Sequence, residues 1–339
     1  MPPTDEPANT AATPDPPDDA PLRRPWTPGR IAAQILGVAV GAALLIWAIR
    51  LAISGDNARA LQALKDAPLS EFIILAALTL AGLVLNGLMF WVTLRPVHTL
   101  SPINVIITNA IATFLSILPF KISLVTRVLI HRQRDGVPLR LLIGWVAAMG
   151  ALGLAVLLPF IAASLIRPAL DLWWWTIALG GGAAGSAAGV YLGRLADRLT
   201  ILKPLSFGSY VIVRHVSAVV GHAALRLLDV AVLAGRFLAG ALIVDIALPI
   251  DQAVLLATTY FGLSVLTPAG TLGFREMGVA ALGMSQGLDE ASIAMLALVV
   301  TAAELLVSAA VALPGAAVLR LDRLLIREKK QAPGVSPEA

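Results

Sequence analysis

The sequence contains no cysteine and carries little charge. Disulfide bonds, thiol catalysis and cysteine metal sites are therefore excluded for this chain of 339 residues. Charged residues make up 14% of the chain, whereas soluble domains have about 25%. The histidines show no spacing typical of a metal site: His98, His131, His215 and His222. We predict no metal, no cofactor and no catalytic residue, so the chain is not expected to be an enzyme.

Hydrophobic residues dominate the composition of the chain. They make up 58% of the chain, and the mean hydropathy is +0.84. Several apolar runs reach the roughly 20 residues that a membrane-spanning helix needs. The net charge is +4 and the pI is near 9.8, but basic residues beside membrane spans set orientation and contact anionic lipid. The composition predicts an integral membrane protein without a nucleic-acid partner.

The two ends of the chain differ from its middle. Residues 1–29 are rich in proline, with acidic residues first and arginines last. Such a composition cannot bury a core, so we predict a disordered cytoplasmic tail and not a signal peptide. Residues 30–327 are predicted to form a single transmembrane domain, and residues 328–339 a second cytoplasmic tail. Basic residues beside the first and last spans place both termini in the cytoplasm.

The predicted fold class is all-α, a polytopic helical membrane bundle of about six full spans with two broken or re-entrant segments. The predicted spans are 31–53, 72–92, 141–166, 172–192, 228–248 and 291–317. The segment 210–227 is predicted to be an amphipathic helix that leads into the fifth span. Glycine recurs every fourth residue from Gly181 to Gly193, which predicts close packing of the fourth span against a neighbouring helix.

The stretch 263–283 interrupts an apolar region with helix-breaking residues. Pro268 lacks an amide hydrogen, and Gly270 and Gly273 allow positive φ, so a helix entering this stretch is expected to break. Arg275 and Glu276 follow, although one charge at the centre of a membrane helix costs about 2.5–3.5 kcal/mol on insertion scales. Two interpretations remain open: a buried break that lines a cavity, or a short surface loop with both charges in water.

An earlier stretch, 115–127, has the same features. Pro119 is followed by Lys121 and Arg127, and the proline-to-arginine spacing is eight residues here and seven in the later stretch. A segment that begins and ends among cytoplasmic basic residues cannot cross the membrane once, so we predict a re-entrant segment or a hairpin. The later break opens from the other side, as in an inverted-topology repeat. The alternative for Arg127 is an ordinary cytoplasmic arginine that sets orientation.

Other charges lie within apolar helices. Arg226 and Asp229 are three residues apart on one helix face and can pair with each other. Arg236 has no partner in its own helix. Glu304, near the middle of the last span, must be protonated, paired or hydrated, and Arg236 and Arg275 are its candidate partners.

The later break resembles the Pro-Gly-Gly-Val-Arg-Glu signature of the lysylphosphatidylglycerol synthase transmembrane-domain family, a flippase-like group of bacterial and archaeal membrane proteins. The residues that carry this resemblance are Pro268, Gly270, Gly273, Arg275 and Glu276. The earlier stretch is similar to the first motif of the family. Pro119, Lys121 and Arg127 match that motif, while Ser123 and Leu124 replace its glycine and glutamate.

Two further positions depart from the family pattern. The family often has an arginine in the last span near the position of Glu304. It also usually has a glutamate-arginine pair in the span after the first motif, whereas the segment from Gly144 to Gly153 holds no charge. The chain is therefore expected to be a divergent member. We also expect it to lack the cytosolic aminoacyl-transfer domain that is fused to some relatives.

The resemblance implies translocation or handling of a lipid in the bacterial inner membrane. We predict flippase-like transport of an anionic or modified lipid. The predicted substrate-binding residues are Lys121, Arg127, Arg236, Pro268, Gly270, Gly273, Arg275, Glu276 and Glu304.

Three other functions are compatible with the sequence. The first is a non-catalytic accessory subunit that partners a lipid-synthesis enzyme in a lipid or envelope pathway. The second is a transferase for a lipid-linked donor. It would need paired acids in an outer loop, and the first outer loop has only Asp56 and Asp66, widely spaced. The third is a small-solute transporter.

Overall fold

The regular secondary structure is helical throughout the part of the chain that the structure describes. The computed structural model describes residues 58–117, 122–167, 169–199, 201, 203–266 and 273–321, together with residues 39, 43, 45–47, 49 and 50. No strand occurs in these residues, and the predicted all-α class is confirmed. The two predicted tails and most of the predicted first span lie outside the described residues.

The helices are numbered in chain order. They are α1 (Ala58–Asp66), α2 (Leu69–Leu94), α3 (Pro102–Phe114), α4 (Ile122–Gln133), α5 (Leu139–Ile166), α6 (Leu172–Arg198), α7 (Tyr210–Val213), α8 (Val216–Ile243), α9 (Ile250–Leu266), α10 (Phe274–Ser285) and α11 (Glu290–Val318). Among the described helices, α2, α5, α8 and α11 are long and apolar enough to cross a membrane. Helix α6 is of similar length but less apolar, because it begins with three tryptophans and is rich in glycine. The chain is a membrane-embedded helical protein.

The predicted boundary between an entry helix and the fifth span was wrong. The structure has one continuous helix, α8, over 28 residues, and only the short α7 precedes it. The boundary was predicted because the apolar run 210–248 is too long for a single membrane span. The structure shortens this run at both ends, and Arg226 and Asp229 pair with each other within the continuous helix. The helix ends at Ile243, and Asp245 just beyond it takes a left-handed φ of 55°.

Two helical hairpins correspond to the two predicted breaks. The first joins α3 and α4, and the second joins α9 and α10; in each, the two limbs pack against each other. Helices α3 and α9 have 13 and 17 residues. At 1.5 Å per residue they reach about 20 and 26 Å, less than the roughly 30 Å of a bilayer core. Three of the predicted site residues, Lys121, Pro268 and Gly270, lie outside the described residues.

The chain contains two units with the same order of elements. The first unit consists of α2, the first hairpin and α5; the second consists of α8, the second hairpin and α11. The four helices of the first unit begin at residues 69, 102, 122 and 139, and those of the second begin 147, 148, 152 and 151 residues later. The central helices α2 and α8 are antiparallel, because Gly221 lies against Val92 whereas Gly235 lies against Leu78. This is the arrangement of an inverted-topology repeat.

Each hairpin packs against the last helix of the other unit. Helix α3 contacts α11, and α9 contacts α5, while α2 and α8 pair along the centre. Outside this exchange, α6 packs on α5 through its glycine stripe, as predicted: Gly181 approaches Pro159 and Gly185 approaches Ala155. The exchange brings both hairpins to the same central region of the bundle.

Candidate functional site

A cavity of about 330 Å³ lies between the two units. This volume is at the lower end of the range for small-molecule sites. Both hairpins, the central helices α2 and α8, and the terminal helices α5 and α11 contribute to its wall. The charged residues in this wall are Arg127, Arg226, Asp229, Arg236, Arg275 and Glu304. Of the predicted site residues that the structure describes, Arg127, Arg236, Arg275 and Glu304 are therefore brought together.

Glu304 is held by two arginines from different helices. Its Oε1 accepts a hydrogen bond from Nη1 of Arg275 at 3.1 Å, and its Oε2 accepts one from Nη2 of Arg236 at 3.1 Å. These are the two partners that the sequence predicted. The carboxylate thus joins α8, α10 and α11, and it compensates charges that would be costly without a counter-ion.

The ring of Tyr260 completes this network. The Arg275 guanidinium lies over the ring, 4.4 Å from its centroid, within the distance of a cation–π interaction. The Tyr260 hydroxyl lies 2.9 Å from the hydroxyl of Thr301 and 3.4 Å from Oε2 of Glu304. Arg275 is therefore fixed by both an ion pair and an aromatic face.

Glu276 is buried but does not line the cavity. Its Oε2 accepts a hydrogen bond from the backbone N–H of Gly273 at 2.6 Å, and its Oε1 accepts one from the hydroxyl of Thr301 at 2.6 Å. Gly273 has a φ of 83°, which favours glycine at this position. Glu276 thus caps the start of α10 and fastens the second hairpin to α11, whereas the sequence analysis assigned it to substrate binding.

The burial of Arg275 and Glu276 distinguishes between a buried break and a surface loop at the later break. Arg275 is 5% exposed and Glu276 is fully buried. The surface-loop interpretation placed both in water, and this was wrong. The charged end of the break lies inside the bundle, with Arg275 at the cavity wall.

Arg226 and Asp229 form a second buried pair. The Nη1 of Arg226 donates to Oδ2 of Asp229 at 2.7 Å, as the three-residue spacing predicted. The guanidinium also lies over the ring of Phe261, 4.3 Å from its centroid. The sequence predicted the pairing but not the position of the pair at the cavity wall. Spacing along a helix shows that two residues share a face, but not what that face contacts.

Arg127 differs from the other arginines of the cavity. Its Nη2 donates to Oδ1 of Asn109 at 2.8 Å, and its guanidinium lies over the ring of Phe90, 3.5 Å from the centroid. Asn109 is itself oriented by a hydrogen bond from its Nδ2 to the backbone oxygen of Leu83. Among the described residues, no carboxylate lies within 4.0 Å of Arg127. This half-buried cation therefore faces the cavity with a neutral amide as its polar partner.

Asn109 lines the cavity but was not among the predicted site residues. An amide inside the apolar run 103–118 was the available signal, since such groups seek partners across helices. The partner, Arg127, lies eighteen residues away on the other limb of the hairpin.

Comparisons with protein-family models, with curated proteins and with solved structures found no match.

Proposed function

We propose that this protein translocates an anionic membrane lipid and that the lipid head group passes through the cavity between the two units. The observation that carries the proposal is Arg127, a cation at the cavity wall without a carboxylate among the described residues. A guanidinium presents five N–H donors in a planar fork that suits phosphate. One hydrogen bond to Asn109 leaves other donors for a ligand.

The inverted arrangement of the two units supports transport. In transporters built in this way, the site lies at the interface between the repeats, and rocking of one repeat against the other changes the side of access. The cavity here is lined by both units and by both hairpins. We place the protein in the bacterial inner membrane with both termini in the cytoplasm, following the distribution of basic residues.

The proposal is tested in liposomes that contain purified protein and a fluorescent phosphatidylglycerol. Bleaching of the outer leaflet reports how fast the labelled lipid changes leaflets. We expect the wild type to accelerate exchange and Arg127→Gln to return it to the rate of protein-free liposomes. Arg140→Gln, a change of an exposed arginine on α5, is the matched control and should retain the wild-type rate. Equal rates for Arg127→Gln and the wild type would contradict the proposal.

A second candidate is the accessory subunit of a lipid-synthesis enzyme. The observation in its favour is that five of the six charges of the cavity are paired with one another, as in a structural core. This function predicts no lipid exchange by the purified protein. It also predicts that the wild type is isolated together with an enzyme of lipid synthesis, and that Arg127→Gln does not disturb this association.

A further inference from the structure

We propose that the cavity is built for a group with one negative charge, the phosphodiester of a lipid head group, and that Arg127 is the residue that binds it. This inference rests on the proposed function and names the charge class of the substrate. It follows from the balance of buried charge, from the free donors of Arg127, and from the way the other arginines are occupied.

Among the residues that the structure describes, the buried charges around the cavity leave one positive charge uncompensated. The wall contains four arginines and two carboxylates, which is a surplus of two positive charges. Glu276 lies directly behind the wall, with its Oε1 3.9 Å from Nε of Arg275, and reduces the surplus to one. An isolated charge in an apolar interior is costly. A ligand with a single negative charge would neutralise the cluster.

The surplus charge can be assigned to Arg127. Arg226 is paired with Asp229, while Arg236 and Arg275 share Glu304 and are joined to Glu276 through Arg275. Those three arginines and three carboxylates balance each other. Arg127 contacts only the neutral Asn109 and the ring of Phe90 among the polar and aromatic partners in the described residues. The binding position for an anion is therefore on the first hairpin.

The occupied arginines argue against a doubly charged group. A phosphomonoester carries about −1.5 to −2 charges near neutral pH. Its second charge would need Arg236 or Arg275, which already hold Glu304 with one hydrogen bond each. Binding would then release a buried carboxylate without a partner, and this is unfavourable. A phosphodiester requires no such displacement.

The experiment measures binding of defined phosphate compounds to the purified full-length protein by native mass spectrometry. The probes are phosphatidylglycerol with one charge, phosphatidic acid as the phosphomonoester, phosphatidylcholine with no net charge, and water-soluble glycerophosphoglycerol. We expect the wild type to bind phosphatidylglycerol about tenfold more tightly than each of the other three. The phosphomonoester of phosphatidic acid would displace a buried carboxylate, and the choline cation would restore the surplus positive charge. Glycerophosphoglycerol carries the same phosphodiester but lacks the acyl chains that bury apolar surface.

A matched pair of variants tests the role of Arg127. Ser123 lines the cavity and precedes Arg127 by four residues on α4, a spacing at which a glutamate pairs with an arginine. Ser123→Glu supplies an internal carboxylate for Arg127, whereas Ser123→Gln has the same size and no charge. We expect Ser123→Glu to weaken binding of phosphatidylglycerol about tenfold or more, and Ser123→Gln to bind like the wild type. Both must show the unfolding temperature of the wild type within the range of repeated measurements.

The outcomes separate this inference from the proposed function. Equal or tighter binding of phosphatidic acid, or equal binding by the two Ser123 variants, would overturn the single-charge site even if liposomes showed lipid exchange. Binding of glycerophosphoglycerol as tight as that of phosphatidylglycerol would overturn a lipid as the source of the phosphodiester. Selective binding of phosphatidylglycerol without lipid exchange would support the single-charge site and contradict translocation.

Discussion

The two hairpins each carry an arginine on the second limb but surround it differently. Arg127 lies on α4 and Arg275 on α10, the corresponding helices of the two units. Each lies over an aromatic ring, Phe90 and Tyr260 respectively. Arg275 is paired with Glu304, whereas the polar partner of Arg127 is the neutral Asn109. The second hairpin thus ties its arginine into the ion pairs of the bundle, whereas we propose that the first keeps its arginine for a ligand.

The largest effect is expected when the ion pairs of the second hairpin are broken. Arg275→Gln leaves Glu304 with Arg236 alone and removes the cation nearest to Glu276. Loss of one partner from a buried pair costs about 3–5 kcal/mol. The free energy of unfolding, measured in detergent, should fall by this amount. A loss no greater than that caused by Arg127→Gln would remove the distinction between the two hairpins.

An intermediate effect is expected at the packing that holds the first hairpin. A methyl group added at Gly87 on α2 would lie 2.8 Å from the backbone Cα of Ile106 on α3, so the hairpin would have to shift. Such overpacking costs about 1–3 kcal/mol. Gly87→Ala should lower the unfolding temperature. The control, Gly180→Ala on α6, introduces a methyl group with no atom within 4 Å and should leave that temperature unchanged or raise it.

The smallest effect on stability is expected at the arginine of the first hairpin. Arg127→Gln removes a hydrogen bond to Asn109 and the contact with the ring of Phe90, but it also removes a buried charge that has no carboxylate partner among the described residues. These effects oppose each other, so the loss in the free energy of unfolding should be about 1 kcal/mol. A loss as large as that of Arg275→Gln would show that Arg127 has a structural role of the same weight.

Much of the fold and part of the site could be predicted from the sequence. The long apolar runs predicted the helices, and Glu304 was assigned its two arginines because a buried carboxylate needs compensation and few cations lie at its depth. The division of α8 at residue 227 was wrong because it treated the apolar run 210–248 as one helix too long for a single span, whereas the continuous helix covers only Val216–Ile243. The polar contact of Arg127 was not predicted, since it requires the fold of the hairpin to bring Asn109 to it.

The role of Glu276 also could not be predicted from the sequence. Its position beside Arg275 in a helix break suggested a role in binding. The structure directs its carboxylate to the N–H of Gly273 and the hydroxyl of Thr301, away from the cavity. The charge pattern in the sequence therefore located the charged region. It did not distinguish Glu276, which caps a helix, from Arg275, which lines the cavity.

The most direct test of the account is the lipid that remains bound when the protein is purified from its native membrane. Native mass spectrometry would compare the wild type with Arg127→Gln and with the control Arg140→Gln. The account predicts that one anionic phospholipid class is enriched on the wild type and on Arg140→Gln and is lost from Arg127→Gln. The same lipid profile on all three proteins would contradict the assignment of Arg127 as the residue that binds the head group.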